Sequence, residues 1–221
     1  MQLTTRDAAR LLGVQEATLQ RWLKSGELNH TRVNEQVRLN RIDLLEFAAA
    51  RNLPISPDLL AELGAEAPEL PSLADAVRAG GVHQGIAGTD KATILRAVVD
   101  RLHLPRPADA ELLHRVLLAR EALGSTGLGN GIAIPHPRNP IVLRIPSPEV
   151  AICYLEKPVD FEAIDGKPVH TLVTLVSPST RAHLHLLARV AAALHDPAVL
   201  AKLDARADVD ALVPEIARVE A

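Results

Sequence analysis

Residues 120–138, Arg-Glu-Ala-Leu-Gly-Ser-Thr-Gly-Leu-Gly-Asn-Gly-Ile-Ala-Ile-Pro-His-Pro-Arg, constrain this chain more than any other stretch. Gly124, Gly127, Gly129 and Gly131 end any preceding helix. They also remove the Cβ atoms that would stop a backbone from curling its N–H groups inward around an oxyanion or phosphate. Pro135 and Pro137 fix φ on both sides of His136, and each biases the residue before it toward extended conformations. The stretch predicts a stiffly presented imidazole at the mouth of an amide-lined loop, sixteen positions after Arg120. That is the arrangement of a phosphoryl acceptor.

A chain of 221 residues exceeds one ordinary domain and fits two unequal ones. With 48% hydrophobic residues but only 2% aromatic, its core must be built from Leu, Ile, Val and Ala. Cys153 is the only cysteine, which excludes an internal disulfide framework and a multi-thiolate zinc site. The amino terminus lacks a basic segment followed by an apolar run, and no later run reaches membrane-span length, so a soluble cytoplasmic protein is expected. The net charge of -3 is unevenly spread: residues 1–56 carry 8 basic against 6 acidic side chains, and the remainder is acidic. A basic module on an acidic body points weakly to nucleic acid.

Within that module, Thr4 and Asp7 have capping-box spacing, and Ala8, Ala9, Leu11 and Leu12 supply an apolar stripe up to Gly13. A second helix from about Glu16 to Ser25 turns Leu19, Trp22 and Leu23 inward and leaves Thr18, Gln20, Arg21 and Lys24 outward. Residues 31–33 and 37–39 alternate around Asn34-Glu35-Gln36 as a short hairpin. A third helix then begins with Ile42, Leu44, Leu45 and Phe47. Helix, turn, helix, wing and helix resembles the excisionase and MerR-like DNA-binding domains over residues 1–51. The resemblance implies that Thr18, Gln20, Arg21 and Lys24 face the major groove and that Arg32 and Arg38 face phosphates, with double-stranded DNA as partner. Gln15 stands where such domains often carry a capping serine, and Glu35 at the wing tip repels phosphates. One copy makes few phosphate contacts, so a homodimer reading two half-sites is expected. Solvation of a small bundle, or docking to a protein, are the alternatives for these charges.

Residues 52–71 hold Pro54, Pro57, Pro68 and Pro71 with Glu62, Glu66 and Glu69, and read as a semi-rigid linker with a short helical candidate at 58–63. From residue 72 to 221 the pattern is helix (72–79), helix (90–103), helix (108–123), glycine loop and strand (150–155). A strand (171–176), a helix (182–195) and a closing helix (207–219) follow. The fold class is α/β, a three-layer domain with a mixed sheet flanked by helices, plus the small amino-terminal winged helix-turn-helix.

The run from Leu117 to His136, the later Lys157-Pro-Val-Asp-Phe-Glu-Ala-Ile-Asp-Gly-Lys-Pro-Val169, and His183-Leu-His-Leu-Leu-Ala-Arg-Val190 together resemble the type-2 enzyme IIA domain of the phosphoenolpyruvate-dependent sugar phosphotransferase system. The group includes fructose, mannitol and nitrogen-regulatory proteins, and the resemblance covers about residues 72–216. It implies that His136 takes a phosphoryl group from an HPr-like phosphocarrier and passes it on. His183 then sets the reactive tautomer, and Arg120 neutralises charge in transfer. Ser125, Thr126, Gly127 and Gly129 form the phosphoryl loop, the two hydroxyls acting as added donors. Arg120 has an alternative role, capping its helix and pairing with Glu121 or another acid. His183 and His185, two apart on a helix, cannot share a metal, and neither a metal nor a cofactor is expected. The expected function is a phosphocarrier, not a turnover enzyme on small molecules, whose phosphorylation controls the DNA-binding module. Its alternative is a sugar-transport component passing phosphate to an enzyme IIB in trans.

Overall fold

The computed structural model describes residues 2–33, 36–40, 43–44, 47–48, 51, 53, 70–137 and 145–220. The chain divides into two compact units, Met1–Glu69 and Leu70–Ala221. The expected linker helix at 58–63, the wing tip Asn34-Glu35, and Ile42 and Leu45 of the third helix lie outside the described residues.

In the first unit, strand β1 (Gln2–Leu3) leads into helix α1 (Thr5–Leu11), whose capping box is formed. The Asp7 N–H donates to Thr4 Oγ1 at 3.2 Å and the Thr4 N–H to Asp7 Oδ2 at 3.3 Å. Those bonds satisfy two of the helix's orphan donors, and the Thr4 hydroxyl, donating to Asp7 Oδ2 at 2.6 Å, together with the Thr4 N–H holds the Asp7 carboxyl below its usual range. Helix α2 (Glu16–Lys24) starts at Gln15, which makes no side-chain cap bond. Strands β2 (Thr31–Val33) and β3 (Gln36–Asn40) form the expected antiparallel hairpin, and β1 adds to β3 on the other side, giving the order β1-β3-β2. Residues 43–44 and 47–48 are helical. Leu11, Leu12, Leu19, Leu28, Leu39 and Leu44, none more than 1% exposed, make the core. Trp22 packs on Phe47 at 4.9 Å between ring centroids, and the Arg51 guanidinium lies 4.8 Å from the Phe47 ring while pairing with Glu27. A cation held over an aromatic face and against a carboxylate fastens the end of this small domain.

The second unit contains α3 (Leu73–Gly80), β4 (Val82–Ile86), α4 (Lys91–Val99), α5 (Pro107–Glu121), β5 (Gly127–Gly129), β6 (Ile132–Ala133), β7 (Glu149–Val159), β8 (Val169–Val176), α6 (Thr180–Ala193), α7 (Pro197–Asp204) and α8 (Val209–Glu220). Its five-stranded sheet has the order β4-β7-β8-β6-β5. β4 runs parallel to β7 and β6 parallel to β8, while β7 with β8 and β5 with β6 are antiparallel. The sheet is therefore mixed, as expected.

Alternation along β7 builds the layers. Val150 and Ile152 meet Leu73, Val77, Val190, Val199, Leu212 and Ile216 of α3, α6, α7 and α8 on one face. Ala151, Cys153 and Leu155 join Ile94, Leu95, Val98, Leu113 and Leu117 of α4 and α5 on the other. Because both faces are covered, Val150–Leu155 of β7 is a continuous buried run and β8 holds five apolar residues, rather than each strand alternating with exposed polar residues. Ser72, Asp90 and Ser179 accept from the N3 amides of α3, α4 and α6, so each of these helices starts at a side-chain cap. The sequence pattern locates α3, α4, α5, β7, β8, α6 and α8 but not β4, β5, β6 or α7. The two-residue β6 lies at the edge of the glycine stretch, and α7 follows Asp196-Pro197 within three residues of α6.

Candidate functional site

The glycine stretch folds as a hairpin, β5 with β6, and not as an open loop. Gly127 faces Ala133 and Gly129 faces Ile132, with a shift of register between the two pairs. A Cβ at Gly127 would lie 2.7 Å from the Ala163 Cβ, and one at Gly131, where φ is +71°, would lie 2.2 Å from His170 Nε2. These glycines let the hairpin press against residues 161–170. The donors of the stretch are used internally. The Gly127 N–H donates to Ser125 Oγ at 2.9 Å, and the Ser125 hydroxyl donates to the Phe161 carbonyl. The Thr126 N–H and hydroxyl both donate to Glu121 Oε2, at 3.1 and 2.7 Å. In this conformation Ser125 and Thr126 use these donors to hold the hairpin to Phe161 and to the end of α5.

From β6 the chain runs extended through Ile134 and Pro135 to His136. The Ile134 N–H donates to the Thr126 carbonyl at 3.0 Å, which ties this run to the end of α5. His136 Nδ1 lies 2.7 Å from the Ile134 carbonyl oxygen. A carbonyl only accepts, so Nδ1 carries a proton, and in the neutral ring Nε2 is the nitrogen with the lone pair. The chain's own backbone two residues upstream thus holds the Nδ1 side of the ring.

His183, in the first turn of α6, brings its ring to 5.3 Å from that of His136 with the planes tilted by 43°. His136 is 1% exposed and His183 0%. The imidazole pair is therefore covered in this conformation, not displayed. Arg120, 7% exposed at the last turn of α5, donates from Nη1 to the Gly124 carbonyl at 2.8 Å. Arg120 thus reaches past the helix C-cap at Ala122 to the turn that follows. It sits there at the start of the hairpin that ends in His136. The structure thus brings the two histidines together and places Arg120 on the element that feeds them.

Sequence reasoning passes over Lys91 and gives Glu121 only as a partner for Arg120. Lys91 Nζ lies 3.3 Å from Glu121 Oε1 and 2.7 Å from Glu162 Oε2. Burial lowers the Lys91 ammonium's pKa, but the hydrogen bond to Glu162 and the Glu121 carboxylate outweigh it, and the net shift is upward. His185 lies apart from this centre, half-buried on α6, and its pKa is lowered by burial and then by Arg189. No group of three or more His, Cys, Asp or Glu that could hold a metal occurs among the described residues. None of the single helices described is long and apolar enough to cross a membrane.

In the first unit, Gln20 and Lys24 of α2 and Arg32 and Arg38 of the wing line one concave region of about 530 Å³, joined by Thr4, Thr5, His30 and Gln36. Arg38 donates to Gln36 Oε1 at 2.7 Å. Thr18 is half-buried and Arg21 exposed, and neither lines this region. The first unit thus gathers four of the six expected DNA-facing residues. His30 and Thr5 could not have been foreseen from helical periodicity, since one lies in a loop and the other on α1.

The same arrangement of sheet and helices is found in IIA mannitol from Escherichia coli, with a TM-score of 0.50 at 20% identity over 62% of this chain and 96% of that one. It also matches the nitrogen regulatory protein IIA-Ntr from Neisseria meningitidis, with a TM-score of 0.51 at 29% identity over 61% of this chain and 91% of that one. The chain belongs to the EIIA 2 family of the phosphoenolpyruvate-dependent sugar phosphotransferase system, which it matches over residues 78–218. Residues 3–52 match a helix-turn-helix domain. Among curated relatives, the nitrogen regulatory protein of Pseudomonas aeruginosa is 40% identical over 130 residues, covering 58% of this chain and 82% of that protein. That of Escherichia coli K12 is 41% identical over 98 residues, covering 43% of this chain and 58% of that protein.

Proposed function

We propose that the chain is a cytoplasmic regulator in which His136 accepts a phosphoryl group from an HPr-like carrier, and that this charge change alters how the helix-turn-helix module engages double-stranded DNA. The observation that carries the reading is the Nδ1–H bond to the Ile134 carbonyl, which leaves Nε2 as the nucleophile, with the His183 ring packed against it. In transfer, the Nε2 lone pair forms the new N–P bond as the donor's N–P bond breaks and returns its electron pair to the donor nitrogen. A phosphoryl group adds roughly two negative charges. At a ring with 1% exposure, that charge requires a nearby cation, and Arg120 at the foot of the hairpin is the candidate. The names of the relatives at 40% and 41% identity support regulation over sugar transport.

Incubation with phosphoenolpyruvate, enzyme I and HPr tests the reading: the parent chain takes up label, and His136→Ala takes up none. Equal labelling of both rules it out. Loss of the label on adding a sugar and an enzyme IIB would support the transport role instead. Comparing the DNA affinity of the phosphorylated and unphosphorylated chain tests the coupling, and identical affinities refute it.

A further inference from the structure

We propose that Lys91 and Glu121 are positioning residues for His136, an inference that rests on the phosphoacceptor reading. An unbroken series of polar contacts joins them to the imidazole. Lys91 Nζ sits 3.3 Å from Glu121 Oε1, and Glu121 Oε2 takes the Thr126 N–H at 3.1 Å and its hydroxyl at 2.7 Å. The Thr126 carbonyl takes the Ile134 N–H at 3.0 Å, and the Ile134 carbonyl takes His136 Nδ1–H at 2.7 Å. Thr126 and Ile134 each contribute both an N–H and a carbonyl to the series, on the two peptide planes that meet at their Cα, so the position of the Glu121 carboxylate is relayed through these two residues to the carbonyl that holds the His136 ring.

The placement of Glu121 is electrostatically uphill. It is a 7% exposed carboxylate at the last residue of α5, where the helix already presents its negative end. A buried carboxylate in such a position persists only when it is paired and hydrogen-bonded, and Lys91 and Thr126 supply both. Lys91 is anchored in turn by Glu162 and lies 5.8 Å from the centre of the Phe161 ring, while the Phe161 carbonyl accepts the Ser125 hydroxyl. The same cation therefore joins the end of α5 to the segment that accepts the Ser125 hydroxyl.

The test uses the full chain with Lys91→Met, Lys91→Arg and Glu121→Gln, below each variant's unfolding midpoint. Phosphoryl uptake at His136 is timed with phosphorylated HPr and with phosphoramidate, a small donor that needs no docking surface. In parallel, ¹⁵N NMR reports the His136 tautomer, which a merely structural brace would leave unmoved. Lys91→Met and Glu121→Gln are expected to slow uptake from both donors by about tenfold or more, as for a reacting group displaced by a fraction of an ångström to one ångström. Both should also raise the share of the ring unprotonated at Nδ1, and Lys91→Arg should restore rate and tautomer. A folded Lys91→Met chain with the parent rate and tautomer overturns the proposal. So does a slowing that appears only with the protein donor, since that marks a docking role. If the parent takes phosphoryl from neither donor, the acceptor reading falls, and the tautomer shift still decides whether Lys91 orients the ring.

Discussion

Replacing Gly127 with alanine tests whether the glycines serve close approach. An added Cβ would sit 2.7 Å from the Ala163 Cβ and 2.8 Å from its Cα, whereas carbon atoms in contact settle at about 3.5–4.0 Å. Either the hairpin or the segment around Ala163 must retreat by about 1 Å. Ala163 is 7% exposed and cannot swing into solvent. Overpacking of this kind costs about 1–3 kcal/mol, which for a chain of this length lowers the melting temperature by about 2–4 °C per kcal/mol. The displacement also reaches chemistry. Gly127 pairs with Ala133, and Ile134 next to it holds the His136 tautomer, so a shift of about 1 Å would slow phosphoryl uptake by up to about a hundredfold. Thermal unfolding and timed uptake from phosphorylated HPr measure the two effects. Adding Ala163→Gly removes the nearer contact and should recover part of both. A Gly127→Ala chain within about 0.5 kcal/mol of the parent, phosphorylated at the parent rate, would show that the glycine answers to flexibility and not to packing.

Three other outcomes are expected. Arg32→Ala or Arg38→Ala should weaken DNA binding uniformly across sequences and reduce the steepness of its salt dependence by about one for each phosphate no longer neutralised, and an unchanged slope in titrations would remove those residues from the interface. Burial pushes the Cys153 thiol up to about 12, so a disulfide reagent at about pH 8 should label it slowly in the native chain and fast in denaturant; rapid native labelling would contradict its position in the core. Burial, then Arg189, lowers the His185 pKa below its ordinary 6.5, so the unfolded chain binds that proton more readily. Its stabilising contribution is present above about pH 6.5 and is lost as pH falls through the lowered folded value. Denaturant midpoints between about pH 7 and 5 should drop less for His185→Gln than for the parent, and parallel slopes would refute the assignment.

The helices other than α7, and the strands β7 and β8, were legible because their signals are local. Thr4 with Asp7, Ser72, Asp90 and Ser179 mark helix starts by side-chain capping, and the apolar runs of β7 and β8 read as strands buried on both faces. What failed to show was set by distant neighbours. A Gly-rich stretch reads equally as a phosphate cradle or a hairpin, and the choice rests on Ala163, Asp165 and His170, more than thirty residues downstream. The same holds for the site. The pairing of His136 with His183, 47 positions away, comes from family resemblance, because helical periodicity alone does not link the two rings. Lys91 reaches Glu121 across 30 residues with no pattern to announce it. Burial of the His136 ring was not foreseen either. Flanking prolines fix the backbone, and they do not determine what packs over the side chain.

The central claim is that Nε2 of His136 is the atom that takes phosphorus. Phosphorus and ¹⁵N NMR of the chain after reconstituted phosphorylation, with mass spectrometry to locate the modified residue, reads this directly. The account predicts one phosphohistidine, at His136, bonded through Nε2 with Nδ1 still protonated. Phosphorus on Nδ1, or on any other residue, would contradict it.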